Sequence, residues 1–225
     1  MHIEPGIVDG AKIVLSYATA GASGLFALKL AASEFSEHGG LSFIARSAIT
    51  TALVFCFFEV LPHYPVGVSE VHLILGSTLF LLFGIAPAAI GLAVGLLAQG
   101  LLFAPYDLPQ YGMNVTTLLV PLFALRIVAT RAIAPGKRYV DLTYRQALAL
   151  SVTYQAGIVT WVAFWALYGH GVGADNIASI GTFGLAYMLV IVIEPLADLV
   201  VLAVAKSTTA LSRSWLFEPR LLGQV

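Results

Sequence analysis

The sequence predicts an all-α, polytopic membrane protein with about seven transmembrane helices. Three observations predict it. Of its 225 residues, 59% are hydrophobic and 10% charged, where a soluble domain carries about 25% charged residues. Long apolar segments recur along the whole chain. The basic residues fall in clusters separated by connections that contain none. Segments long enough to cross a bilayer, about 20 residues at ~1.5 Å rise each, lie at 11–32, 41–61, 114–131, 146–168 and 180–206. A further apolar region, 71–104, is too long for one ordinary helix, and Gly84 and Pro87 interrupt it near its middle. Proline is best tolerated where a helix starts, so this region reads either as one kinked span or as a tight hairpin of two.

The charges decide between these readings. Lys29 and Arg46 flank the expected loop at 33–40. Arg126, Arg131, Lys137, Arg138 and Arg145 surround the loop near 132–145, and Lys206, Arg213 and Arg220 mark the tail. The connections at 62–70, 104–113 and 169–179 carry no Lys or Arg. With 71–104 as a hairpin, every basic cluster lies on one side of the membrane. The positive-inside rule therefore favours seven spans, amino terminus outside and carboxyl terminus cytoplasmic. Lys12 alone dissents, and it can snorkel to the outer interface. The expected organisation is one transmembrane domain, 1–225. Residues 1–10 form an extracytoplasmic segment, 11–206 the helical bundle and 207–225 a cytoplasmic tail. Residues 1–10 contain Glu4 and Asp9 but no basic residue, unlike the basic start of a cleavable leader. Met1 is therefore expected to keep its free amine. Cys56 is the single cysteine, which excludes an internal disulfide and a thiolate metal cluster.

On this topology Met1, His2, His63 and His72 share the outer side with Glu4, Asp9, Glu59, Glu70, Asp107 and Asp175. Positive-inside sorting alone leaves such a face acidic, so the acids by themselves imply no cation site. Met1-His2 is more specific. A free amine followed by histidine offers the Met1 amine, the His2 backbone nitrogen and His2 Nδ1. Together they close a five-membered and a six-membered chelate ring. All-nitrogen planar ligation suits Ni(II), Cu(II) and, less strongly, Co(II), and leaves one place in the plane for another histidine. His72 is the candidate, since the short segment before the first span is long enough to fold back to it. His63, beside Pro62 and Pro65, reads either as a ligand at the mouth or as a plain loop histidine.

Four elements in order resemble the CbiM/NikM family, the substrate-capturing membrane subunits of cobalt and nickel energy-coupling-factor transporters. Met1-His2-Ile3-Glu4-Pro5-Gly6 is similar to its amino terminus, with the acid at position 4 where the family usually has it at position 5. Ser69 to Gly76, Gln99-Gly100-Leu101-Leu102-Phe103 and Gly112-Met113-Asn114-Val115 match three later elements, so the resemblance spans roughly residues 1–130. It implies Met1, His2 and His72 as ligands of a transported Ni2+ or Co2+. Gln99 and Asn114 would be hydrogen-bonding supports of that ligand set, or simply interhelical polar contacts. It also implies a transmembrane coupling subunit and cytoplasmic ATPases as partners in a prokaryotic inner membrane. The chain has no G-x-x-x-x-G-K-[ST], so it holds no ATP by a P-loop. No serine or cysteine sits with an evident base, so neither an enzymatic activity nor a catalytic cofactor is expected, nor any nucleic-acid partner. Two alternatives remain open at this stage: a secondary carrier using Glu194 and Asp198 in the last span, or a metal-dependent membrane enzyme. The small-residue pairs Ala20–Gly24 and Ala27–Ala31 read either as a docking face for the coupling subunit or as internal packing.

Overall fold

A computed structural model describes residues 3–208 and 214–223. Its main elements are α1 (Ile13–His38), α2 (Gly40–Glu59), α3 (Gly76–Phe83), α4 (Ile85–Leu102), α5 (Tyr111–Ala132), α6 (Tyr144–His170) and α7 (Ala174–Ser207). A short antiparallel hairpin, β1 (Tyr64–Val66) and β2 (Ser69–Val71), separates α2 from α3. All of the helices except α3 are long and apolar enough to cross a membrane. The protein is therefore an all-α polytopic membrane protein, as its composition predicts.

The chain crosses the bundle seven times, but the third crossing is not a full helix. Residues 72–75 run as irregular backbone before the eight-residue α3 completes the passage. At ~1.5 Å per residue in a helix and ~3.3 Å in extended chain, the two parts together span most of a hydrocarbon layer. Irregular backbone is tolerated at that depth only when it is enclosed by protein. Consistent with this, His72 and Ile74 are buried, as is almost all of α3. The expected break falls at Gly84, whose φ of +87° is open chiefly to glycine. Pro87 follows in the first turn of α4, where its missing N–H leaves no helical hydrogen bond unmade. The expected loop at 33–40 is shorter than its composition implies. Helix α1 continues to His38, and Gly39 alone, at φ +86°, turns the chain into α2.

Helices α2 and α4 pack closely, as do α5 with α6 and α6 with α7. The shared core runs through Leu92, Leu118, Leu122, Tyr154, Ile158 and Trp165. Ala27 and Ala31 are buried in this packing, which resolves one sequence ambiguity: that pair serves contacts within the chain. At the end carrying α3's carboxyl terminus, buried Arg46 donates to the Phe83 carbonyl at 2.9 Å and pairs with Glu34. The tail closes over the same spot. The Glu218 amide donates to the Leu82 carbonyl at 2.8 Å, and the Phe217 ring stacks on Phe83 with centroids 5.6 Å apart. Arg220 donates to the carbonyls of Ala134 and Lys137. Burial and the neighbouring Glu34 raise the Glu218 carboxyl above its ordinary range, against the pull of Arg46.

Also at this end, Asp141 accepts from Arg138 and Lys206, both at 2.7 Å, and these bonds lower its carboxyl to about 2. A carboxyl lowered from 3.8 to about 2 stabilises the fold above the unfolded value and loses that contribution as pH falls toward 2. Asp141→Asn should therefore flatten the acid limb of a thermal-stability profile below about pH 4. A second expectation concerns sidedness. Tyr106 and Val172 are exposed at the end where the amino-terminal segment lies, and Ala134 at the other. Single cysteines at Tyr106 or Val172 should react with an impermeant thiol reagent from one side of a sealed vesicle. A cysteine at Ala134 should react from the opposite side only.

Candidate metal centre

Residues 64–71 form a hairpin because Tyr64, Val66 and Val71 favour extended backbone and Gly67 takes φ +64° in the two-residue Gly67-Val68 turn. The register pairs Tyr64 with Val71, Pro65 with Glu70 and Val66 with Ser69. The amino-terminal segment adds itself to the free edge of β2. Ile3 bridges to Ser69, and the Glu4 amide donates to the Val68 carbonyl at 3.4 Å. The Ile3 amide also donates to Asn114 Oδ1 of α5 at 2.9 Å in a buried position. Ile3, Ile7 and Val8 are buried, each contributing about 1.5–3 kcal/mol of apolar burial. The segment is thus a fitted part of the bundle.

His72 follows directly on β2. Its ring is almost wholly buried, and its Nε2 lies 3.0 Å from Glu70 Oε2. The spacing of two residues explains the pair, since side chains at i and i+2 of an extended strand lie on the same face. Phe58 meets the ring edge-on at 4.9 Å. The exposed His63 ring stacks nearly parallel on His72, with centroids 4.8 Å apart. Above this turn a cleft of about 190 Å³ is lined by Glu4, Pro5, Pro65, Glu70, Tyr106 and Asp107. A second, narrower crevice brings Gln99, Asp107 and Asn114 together. A larger open pocket of about 620 Å³ lies on the other flank of the amino-terminal segment, lined in part by Glu4, His170 and Asp175, and His72 is not among its walls.

Of the residues singled out in the sequence, His72, His63 and Asn114 meet at this end of the bundle. Gln99 lies one step away, its buried Oε1 without a hydrogen-bond partner among the described residues. Asn114 Oδ1 accepts from the main chain of the amino-terminal segment at Ile3. Met1 and His2 lie outside the described residues. Among the described residues, no group of three or more His, Cys, Asp or Glu side chains is arranged to hold a metal ion. Sequence reasoning missed Glu70 as the partner of His72, although its position two residues upstream was the available signal. It also missed Ile3, Ile7 and Val8 as anchors.

A seven-crossing bundle with a broken third span and a polar, histidine-bearing mouth defines a polytopic membrane protein with a candidate site at one end. More particularly, residues 2–210 match the CbiM family, described as the cobalt uptake substrate-specific transmembrane region, and the chain belongs to that family. Two crystal structures share the fold: one of a transition metal transporter and one of a truncated transition metal transporter. Each is 19% identical in sequence and covers 92% of this chain, with a TM-score of 0.68; the chain covers 93% of the first and 99% of the second. No curated protein sequence matches the chain.

The buried Ile3–Asn114 bond yields a direct test of the anchor. Asn114→Leu would leave the Ile3 amide buried and without its acceptor, which should cost about 1–3 kcal/mol. The loss should appear as a lowered unfolding midpoint in detergent. Gln99→Leu removes an amide whose oxygen is already unsatisfied and should cost less.

Proposed function

We propose that this chain captures Ni2+ or Co2+ as the substrate-specific subunit of an energy-coupling-factor transporter. The Met1 amine, the His2 backbone nitrogen, His2 Nδ1 and the His72 ring would form a four-nitrogen plane around the ion. The observation that carries this reading is the fastening of Ile3 between Ser69 and Asn114. Ser69 is three residues from His72, and consecutive Cα atoms are ~3.8 Å apart. Two residues ahead of Ile3 therefore have the reach to meet the His72 ring. The Glu70 contact supports it further. With Nε2 donating to a carboxylate, Nδ1 carries the lone pair that binds a metal, and the carboxylate raises its basicity. The acidic cleft formed by Glu4, Glu70 and Asp107 would concentrate divalent cations at the mouth. Ni2+ and Co2+ both suit the proposed donor set, and the ion is substrate.

On this reading the mouth faces outward and the basic end faces the cytoplasm, in keeping with the distribution of Lys and Arg. A transmembrane coupling subunit and cytoplasmic ATPases would supply the energy, because the chain lacks a phosphate-binding loop of its own.

The test is equilibrium binding of Ni2+ and Co2+ to protein with a native amino terminus. Placing one residue before Met1 turns the amine into an amide and alters both chelate rings while keeping every side chain. That extension and His2→Ala should each abolish high-affinity binding. His72→Ala should be milder, because water replaces a monodentate ligand. Each ~1.4 kcal/mol of lost ligation corresponds to about tenfold in affinity. Affinity should also fall as pH drops below about 6.5, where protons compete for imidazole and amine. Tight binding by the extended protein would eliminate the Met1 amine as a ligand.

A further inference from the structure

Glu194 and Asp198 lie one helical turn apart on the same face of α7, both wholly enclosed by protein. Two carboxyl groups in the interior of a membrane bundle demand an account, because each charge is costly there. No ion pair among the described residues reaches either one. The groups that face them come from three helices. From α3, Ser77 donates to Asp198 Oδ2 at 2.7 Å and Thr78 donates to Asp198 Oδ1. From α6, Ser151 donates to Glu194 Oε2 at 3.1 Å, and Gln155 donates to the same oxygen. Tyr154 of α6 and Tyr187 of α7 are buried electrostatic neighbours of Glu194, and Tyr187 lies close to the His72 main chain. Every partner is a neutral hydroxyl or amide, and none supplies a positive charge.

The two acids differ in what surrounds them. Both Asp198 oxygens accept hydroxyl hydrogen bonds from the second and third residues of α3, whose amino-terminal end carries the positive pole of the helix. That is an environment for an anion. Ser151 and Gln155 both donate to Glu194 Oε2, the Ser77 hydroxyl also faces that carboxyl, and Oε1 has no hydrogen-bond partner among the described residues. Glu194 also stands beside the anion. Carboxyl groups so close in a low dielectric do not both ionise, and the pair titrates as a unit. We propose that Glu194 and Asp198 form an interior proton-binding site that holds one proton at neutral pH, carried on Glu194 Oε1 while Asp198 stays ionised. Gln155 Oε1 and the Tyr154 hydroxyl, also without partners among the described residues, are buried oxygens available to accept from that proton. The site is distinct from the metal mouth and stands whether or not the mouth binds a metal. Ser77 and Thr78 hold Asp198 in the same stretch of chain that descends from His72, so the proton sits beneath the broken third crossing.

Infrared difference spectroscopy of the full chain in nanodiscs tests this without any metal. At neutral pH the wild type should display a carbonyl stretch of a protonated carboxyl, shifted in D2O. Glu194→Gln should abolish that band, and Glu37→Gln, on an exposed position of α1, should leave it intact. If Glu194→Gln does not fold, Ser151→Ala serves instead. It removes one hydrogen bond to the Glu194 carboxyl and should shift the band. Absence of the band in wild type, its survival in Glu194→Gln, or an unmoved band in Ser151→Ala would each overturn the proposal. A band that appears only when Na+ is replaced by choline would also overturn it, because an alkali cation would then be the neutralising charge.

Discussion

The mouth of this protein depends on a single fastening, the Ile3 main chain held between Ser69 and Asn114. A chain terminus is ordinarily loose, and holding it requires paying the ordering entropy of every residue fixed. Here the offset comes from three buried apolar side chains and from strand pairing at the hairpin edge. The same pairing covers the edge of β2, which otherwise exposes unpaired backbone groups. The hairpin, the amino-terminal segment and the start of the third crossing are therefore one mechanical unit. Glu70 and His72 inherit their positions from it.

The third crossing is the second constraint. A helix running from His72 to Phe83 would satisfy its own backbone but would bury no polar mouth. Instead the chain is irregular for several residues, Leu75 adopts a left-handed φ of +55°, and α3 begins deep in the bundle. A leucine in that conformation costs roughly 1–2 kcal/mol, and the buried residues on either side of it, Ile74 and Gly76, hold the chain in place. The far end of α3 is pinned equally firmly. Arg46 occupies the Phe83 carbonyl and the tail amide of Glu218 occupies that of Leu82, so two carbonyls that a helix end leaves without helical partners are satisfied. A charged residue that reads in sequence as a simple topological marker is, in the fold, a buried cap.

Much of the fold was legible because a bilayer imposes few solutions. Apolar length and the absence of Lys and Arg from alternate connections were enough to find the seven crossings and to choose the hairpin at Gly84. The boundaries that slipped, such as α1 continuing to His38, did so because Glu34, Glu37 and His38 are good helix residues at an interface, where polarity does not end a helix. The site was legible only in part. His72 and Asn114 stand out as polar residues in apolar surroundings, and the strand edge then brings both near Ile3. Glu70 was read only as one more acid on an outer face. Its role is set by the strand's alternation, which became visible once 69–71 was known to be extended. Ile3, Ile7 and Val8 carry no periodic signal in so short a segment, and only tertiary packing reveals that they are core.

The polar residues of the interior fall into two groups with different physics. At the mouth, Glu70 and Asp107 line clefts that open toward the hairpin and the amino-terminal segment. Around α3 and α7 the acids are enclosed, and among the described residues hydroxyls and amides are their hydrogen-bond partners. Hydrogen bonds of that kind stabilise a carboxylate but do not neutralise it, so the enclosed pair must settle its charge by protonation or by a bound cation. The residues between the two groups are few: Leu73, Ile74, Leu75 and Gly76. Because that linker is strained at Leu75 and short, with Ile74 and Gly76 buried, displacement at one end would be felt at the other. A fold that ties the buried His72 at the mouth to an enclosed acid through three non-helical residues and the first turn of α3 has the parts needed to make the interior charge respond to the mouth.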